Sequence, residues 1–213
     1  PQIQQLNDTM CILFERISDS ADVAAGEQLL VASDALSRLY MSIMTREIDY
    51  TYAMNLEQHL WKQCFHKPIE ALRSASNGCG EVAVGFRKSL SVLLQQGFKF
   101  YLELVQQYET IFGFTYEDYI YWVNGLPTDD LTTCTFIGCG ARTAPNRTIR
   151  LALMSLQRLT VSLGDLYRYN TMVTGVKDYS LARLWYQKSA QLGPGNGRPY
   201  NQLALLAVYA SKW

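Results

Sequence analysis

Ser189-Ala190-Gln191-Leu192-Gly193-Pro194-Gly195-Asn196-Gly197-Arg198-Pro199-Tyr200-Asn201-Gln202-Leu203-Ala204-Leu205-Leu206-Ala207-Val208-Tyr209 reads as the end of one helix, a Gly/Pro break and the start of another. It arrives after Leu163-Gly164-Asp165-Leu166-Tyr167-Arg168-Tyr169, whose Arg-Tyr pair packing alone does not require. Apolar residues at three- and four-residue intervals on both sides of the break predict helix packed on helix. The combination points to binding, not catalysis.

The same periodicity runs along the chain and predicts an all-α protein, with helices near residues 2–17, 24–46, 50–75, 82–112, 116–123, 147–173, 179–192 and 199–212. Breaks are expected at Asp49, at Asn77-Gly78-Cys79-Gly80, at Gly113 and across 193–197. Pro68 removes a backbone donor, so the third helix either kinks there or begins anew. Residues 124–146, carrying Gly125, Pro127, Gly138, Gly140 and Pro145, form a polar connection long enough to be mobile or functional. A usable division is 1–146, the N-terminal part of the bundle with its long loop, and 147–213, the helices that complete it.

Spacing within that second part follows a tetratricopeptide unit. Ala182, Tyr186 and Pro194 fit its second helix, and Leu163-Gly164 with Tyr167 fits the first. Thr160 stands where the pattern has Trp, and the inter-helix turn is about six residues longer than usual. Leu203 and Ala204 fall where a next repeat begins. Further helices of this kind beyond Trp213 are expected to cover Leu203, Leu206 and Val208.

A chain of 213 residues, 48% hydrophobic, can bury a substantial core. No apolar run approaches the roughly 18 residues needed to cross a bilayer, and no charged-then-apolar leader precedes Met10. No membrane partner is expected. Five scattered cysteines, Cys11, Cys64, Cys79, Cys134 and Cys139, read as reduced thiols in a cytoplasmic or nuclear setting. Cys134 and Cys139 lack a second pair, and His59 and His66 are distant in sequence, so neither a metal nor a cofactor is expected. Phosphate loops, nucleophile elbows and zinc-protease motifs are missing from the sequence, which argues against an enzyme.

The zero net charge hides a division. Residues 1–141 carry 9 Lys/Arg against 17 Asp/Glu, whereas residues 142–213 carry 10 Lys/Arg against Asp165 and Asp178 alone. Such asymmetry suggests an anionic partner for the basic third, or halves that complement one another in the fold.

Candidate ligand-binding residues lie on two helices. At roughly 100° per residue, Lys62, His66 and Arg73 share one face, beside an apolar stripe of Trp61, Phe65 and Leu72. Arg150 and Arg168 share an azimuth, with Arg147, Arg158 and Asp165 nearby. Arginine suits phosphate because its planar fork donates two parallel, charge-assisted hydrogen bonds, and Tyr169 can add a hydroxyl. If the two faces confront each other, Arg73 and Arg168 converge on one dianion. The ordinary alternatives are surface pairs, Arg168 with Asp165 and Arg73 with Glu70, and a capping role for Asn201 behind Pro199. Arg168 is read as surface-directed, so that its replacement by Glu spares the fold. Tyr200, Tyr209 and Trp185 are read as core, and Trp122 with Tyr116, Tyr119 and Tyr121 as a packed lid beside the long loop.

Asn196-Gly197-Arg198-Pro199-Tyr200-Asn201-Gln202-Leu203-Ala204, with Ala182-Arg183-Leu184-Trp185-Tyr186, resembles the Est-one/Smg family of telomere and nonsense-mediated mRNA decay factors, most of all its Smg-six type. Gly164-Asp165, Arg168-Tyr169, Leu60-Trp61-Lys62 and Phe65 support the resemblance, which spans roughly residues 50–213. It implies a 14-3-3-like antiparallel helical bundle continuing into tetratricopeptide-like helices. It also implies a phosphoserine or phosphothreonine grip by His66, Arg73, Arg168, Tyr169 and Asn201. His66 departs from the Lys of the best phosphate-binding relatives, and Lys62 stands one turn earlier on the same face. The implied function is an adaptor that docks the phosphorylated up-frameshift RNA helicase, the nuclease of the full-length Smg-six type being unmatched by these residues. Other readings are direct binding of telomerase RNA, telomeric DNA or other single-stranded nucleic acid, and a purely structural scaffold.

Overall fold

The computed structural model describes residues 1–120 and 146–211, and every regular element among them is helical. The elements are α1 (Gln2–Ser20), α2 (Val23–Arg46), α3 (Ile48–Met54), α4 (Leu56–Leu60), a π turn (Trp61–His66), α5 (Lys67–Ala75), α6 (Glu81–Phe112), a 3-10 turn (Tyr116–Tyr119), α7 (Arg147–Thr174), α8 (Ser180–Leu192) and α9 (Gly197–Ser211). They group into two units, one of Pro1–Glu47 and Met54–Phe100, the other of Ile48–Ala53 and Tyr101–Trp213. Most of the Gly-rich connection read at 124–146, with Cys134, Cys139, Tyr121 and Trp122, lies outside the described residues.

In the first unit α1 and α2 form a hairpin. Ala21, at φ 50°, ends α1, and Asp22 caps α2 by accepting from the Ala24 and Ala25 N–H groups at 2.9 and 3.2 Å. Arg16 clamps the same carboxylate from the last turns of α1 at 2.6 Å. Met10, Leu13, Ile17, Leu29, Leu36, Phe65, Leu72 and Phe86 are buried in this unit. Gly26 of α2 lets Phe86 pack close, since a Cβ there would stand 3.3 Å from the Phe86 ring.

The single helix expected over 50–75 is broken twice. The chain ends α2 at Glu47, not Asp49, and breaks again at Asn55, whose φ of 54° is left-handed. Pro68 then stands at the start of α5, and the chain reaches it through the π turn. In an α-helix the Cys64 carbonyl would accept from residue 68, but Pro68 has no N–H. The buried Ser33 hydroxyl of α2 donates to that carbonyl instead. The Cys64 carbonyl therefore keeps a partner despite Pro68.

In the second unit α7, α8 and α9 pack in sequence, each antiparallel to the last. Ser189 donates to the Gln157 carbonyl and Gln157 to the Gly193 carbonyl, at 2.7 and 2.8 Å, while Tyr186 faces Gly164 further along. Tyr179 stacks on Tyr209 at 5.9 Å. Leu206 is buried with Val161, Ala182 and Tyr186, and Leu203 packs against them. This corrects the expectation that Leu203 and Leu206 wait for another helix: they cover α7 and α8, and of the three residues only Val208 is exposed. Asn196, not Asn201, opens α9, its side chain accepting from the Arg198 N–H at 3.0 Å. Of the helix read at 116–123, the described residues form a 3-10 turn at Tyr116–Tyr119 with Ile120 extended, and 121–123 lie outside the described residues. Tyr116 is drawn into the core and its N–H donates to the Glu109 carboxylate at 2.6 Å, which ties the start of the turn to α6. Lys188 of α8 pins the same turn through Glu117 at 2.6 Å. The segment Ile48–Ala53 joins this unit through Asp49, paired with Arg147 at 2.6 Å, and Tyr52, which lies under Arg158 at 4.6 Å.

Two stability effects follow from these contacts. A Cβ on Gly164 would run into the Tyr186 ring, so Gly164→Ala lowers unfolding free energy by about 1–3 kcal/mol in urea titrations. The Asp22 carboxyl is held below the usual carboxylate range by Arg16 first and the Ala25 N–H next. A depressed pKa contributes stability above pH of about 4 that is lost as pH falls below it. The difference in melting temperature between Asp22→Ala and the parent should therefore be present at pH 7 and shrink in acid; a difference independent of pH would contradict the assignment.

Candidate functional site

Gly164-Asp165-Leu166-Tyr167-Arg168-Tyr169 occupies the C-terminal half of α7. Helical geometry puts Asp165 and Arg168 one turn apart on one side, and Gly164 beside them admits α8. The Asp165 and Arg168 side chains are each only 11% exposed, with Nη2 and Oδ1 3.2 Å apart. The Tyr186 hydroxyl of α8, itself buried, donates to the same Oδ1 at 2.7 Å. The guanidinium lies 4.6 Å from the centre of the Tyr169 ring, close enough for a cation–π contact. Its Nη1 faces the Met172 sulfur at 3.8 Å, a weak acceptor, and its buried Nε makes no hydrogen bond.

This is a pre-oriented cation, held from three sides with donor capacity left over. Burial alone would lower the Arg168 pKa, but Asp165, then Tyr186 and Tyr169, more than offset it and push it up. The Tyr186 phenol is pushed up as well, by burial and by the Asp165 charge. Both groups therefore keep their protons across the physiological range. The arrangement can bind an anion through the guanidinium fork, and nothing in it resembles an acid–base pair poised for catalysis.

The other sequence-predicted residues are distributed between the two units. Lys62 is exposed on the π turn, and His66 is half-buried with its ring 6.0 Å from that of Trp61. Arg73 pairs with Glu70 at 2.7 Å and is 42% exposed. These three belong to the first unit, whereas Arg168, Tyr169 and the exposed Asn201 belong to the second. Arg168 and Tyr169 are brought together; Asn201 lies on the exposed side of α9. Of the arginine stripe on α7, Arg147, Arg158 and Arg168 engage Asp49, Tyr52 and Asp165, while Arg150 is exposed.

Two readings change. Arg168 is not a surface-directed charge, because its side chain is almost enclosed beside Asp165. Tyr186, read as a packing position, also reaches into the site by its hydroxyl. The available signal was its repeat-like position in the helix after the Gly164 helix, which places an aromatic ring against a missing Cβ.

Residues 55–174 match the family model for telomerase activating protein Est1, and residues 182–212 match that for the Est1 DNA/RNA binding domain. Among curated relatives, telomerase-binding protein EST1A of Danio rerio is 34% identical over 83% of this chain and 11% of its own length. Nonsense-mediated mRNA decay factor SMG7 of Danio rerio is 28% identical over 89% of the chain and 15% of its own. For nonsense-mediated mRNA decay factor SMG5 of Homo sapiens the figures are 27%, 73% and 15%. The chain thus spans well under a fifth of each relative.

Enclosure of the pair sets the result of mutating it. Arg168→Gln strands the Asp165 charge and lowers stability by about 3 kcal/mol, and Arg168→Glu lowers it further by setting two carboxylates face to face. Chemical denaturation checks this; a fully stable Arg168→Glu protein would mean that the pair is hydrated.

Proposed function

The chain belongs to the Est1 family, and we propose that it is a phosphopeptide-binding adaptor domain of a nonsense-mediated mRNA decay factor. Its helices form a 14-3-3-like bundle continued by tetratricopeptide-like hairpins, and its ligand is a phosphorylated segment of the up-frameshift RNA helicase. Such a domain works in the cytoplasm, with a nuclear role alongside. The observation that carries the reading is Arg168, oriented by Asp165 over Tyr169 with donor capacity to spare. A guanidinium held in place before binding loses little rotamer freedom when it meets a phosphate. Lys62, His66, Arg73 and Asn201 are assigned to the same ligand by the family resemblance.

Direct binding of nucleic acid is the second reading. The match of residues 182–212 to a DNA/RNA binding family model and the basic C-terminal third favour it. Against it, Arg147 and Arg158 of the α7 stripe already engage Asp49 and Tyr52.

Calorimetric titration of phosphorylated and unphosphorylated forms of one helicase peptide separates the two. The phosphorylated form should bind at least tenfold tighter, a margin on the order of one charge-assisted pair. Arg168→Lys, which keeps the charge and loses the fork, should reduce that margin, and Arg73→Ala should weaken the phosphorylated form alone. Equal affinity for both peptides would reject the adaptor reading. Tight RNA binding whose affinity falls with salt at a slope of roughly −0.7 per phosphate neutralised would favour the alternative.

A further inference from the structure

Asp165 Oδ1 accepts two hydrogen bonds from two different helices, one from Arg168 on its own helix and one from the Tyr186 hydroxyl of α8. The Tyr186 ring is fully buried and lies where a Gly164 side chain would be, so the hydroxyl has no solvent to turn to. Its position is therefore set by how α8 is seated on α7.

That second bond limits what Asp165 can do to Arg168. An unconstrained carboxylate prefers a two-point, fork-to-fork pair with guanidinium, using both oxygens and two N–H donors. Here the pair makes contact at one point, Nη2 to Oδ1, and the phenol occupies the rest of that oxygen's capacity. Nη1 and Nε are left with a thioether contact and no hydrogen bond respectively. Nη1, on the exposed side, is the donor left for an anion.

We infer that Tyr186 is a positioning residue for Arg168: through Asp165 it holds the carboxylate in one-point contact and so keeps guanidinium donors free for phosphate. The inference rests on the phosphopeptide reading above and adds a dependence of anion recognition on the α7–α8 seat. Loss of the hydroxyl lets Asp165 rotate into the two-point pair, which withdraws a donor from the ligand without removing any charge from the site. Arg168 remains charged throughout, so the change is one of geometry and not of Coulombic attraction.

The test uses the full chain, one helicase peptide with and without a serine phosphate, and Tyr186→Phe. Phe keeps the ring against Gly164, so the fold is retained and a melting curve confirms it. Thr171→Val serves as the control, because it removes a hydroxyl on α7 that bonds only backbone carbonyls, those of Tyr167 and Asp178. Tyr186→Phe should cut the preference for the phosphorylated peptide by roughly tenfold, the scale of one hydrogen bond to a charged group, with the unphosphorylated affinity unchanged. Thr171→Val should keep the parent's preference. A second measurement follows the Arg168 Nε–H resonance by ¹⁵N-edited NMR, which should shift in Tyr186→Phe before any peptide is added. If the parent discriminates between the peptides and Tyr186→Phe discriminates equally well, the positioning role is overturned while the adaptor reading stands. If the parent itself fails to discriminate, both are overturned.

Discussion

The constraint on which the second unit's site depends is the meeting of Gly164 and Tyr186. A missing side chain on α7 lets an aromatic ring of α8 lie against the helix backbone, and that depth brings the phenol within 2.7 Å of Asp165. Packing and polar chemistry thus come from one contact. Burying a carboxylate and a guanidinium side by side is expensive unless their remaining valences are met, and the Tyr186 hydroxyl and Tyr169 ring meet several of them. The hydrophobic cluster of Val161, Ala182, Tyr186 and Leu206 holds that ring in place. A site built this way shares its stability with the packing of α8.

The first unit solves a different problem. Pro68 interrupts a helix that must still present Trp61, Phe65, Ile69 and Leu72 to one core. The chain passes through a π turn there, and Ser33 replaces the donor that proline lacks. The Ser33 bond is a polar repair made from a neighbouring helix, so the Cys64 carbonyl depends on α2 for its partner. π turns are frequent at functional sites, and this one carries Lys62 and His66.

Charge asymmetry along the chain turns out to be a poor guide to a bare basic surface. Arg147 and Arg158 meet Asp49 and Tyr52 of the short α3 segment, and Lys188 meets Glu117, Tyr116 and Trp185. Part of the positive excess is thus spent on residues from the acidic portion of the chain, the complementarity that the sequence left open. Among the described residues, Arg150, Arg183 and Arg198 are exposed and separated along three helices.

Helix content, the Gly/Pro break before α9, the restart at Pro68 and the family resemblance could all be read from the sequence, because each depends on local periodicity or on a residue with restricted backbone geometry. Candidate ligand residues were legible by type and spacing too, and the i−3 partner of Arg168 was among the alternatives. What spacing along one helix cannot express is depth. Whether Arg168 faces water or stands enclosed depends on α8, and so does the third member of its network, Tyr186, twenty-one residues from Asp165. The same limit hid the Ser33 repair, the single turn at Tyr116 and the inward packing of Leu203 and Leu206. Local geometry determined which residues share a face; only the tertiary structure decided which faces another helix covers, since burial is a property of neighbours distant in the chain.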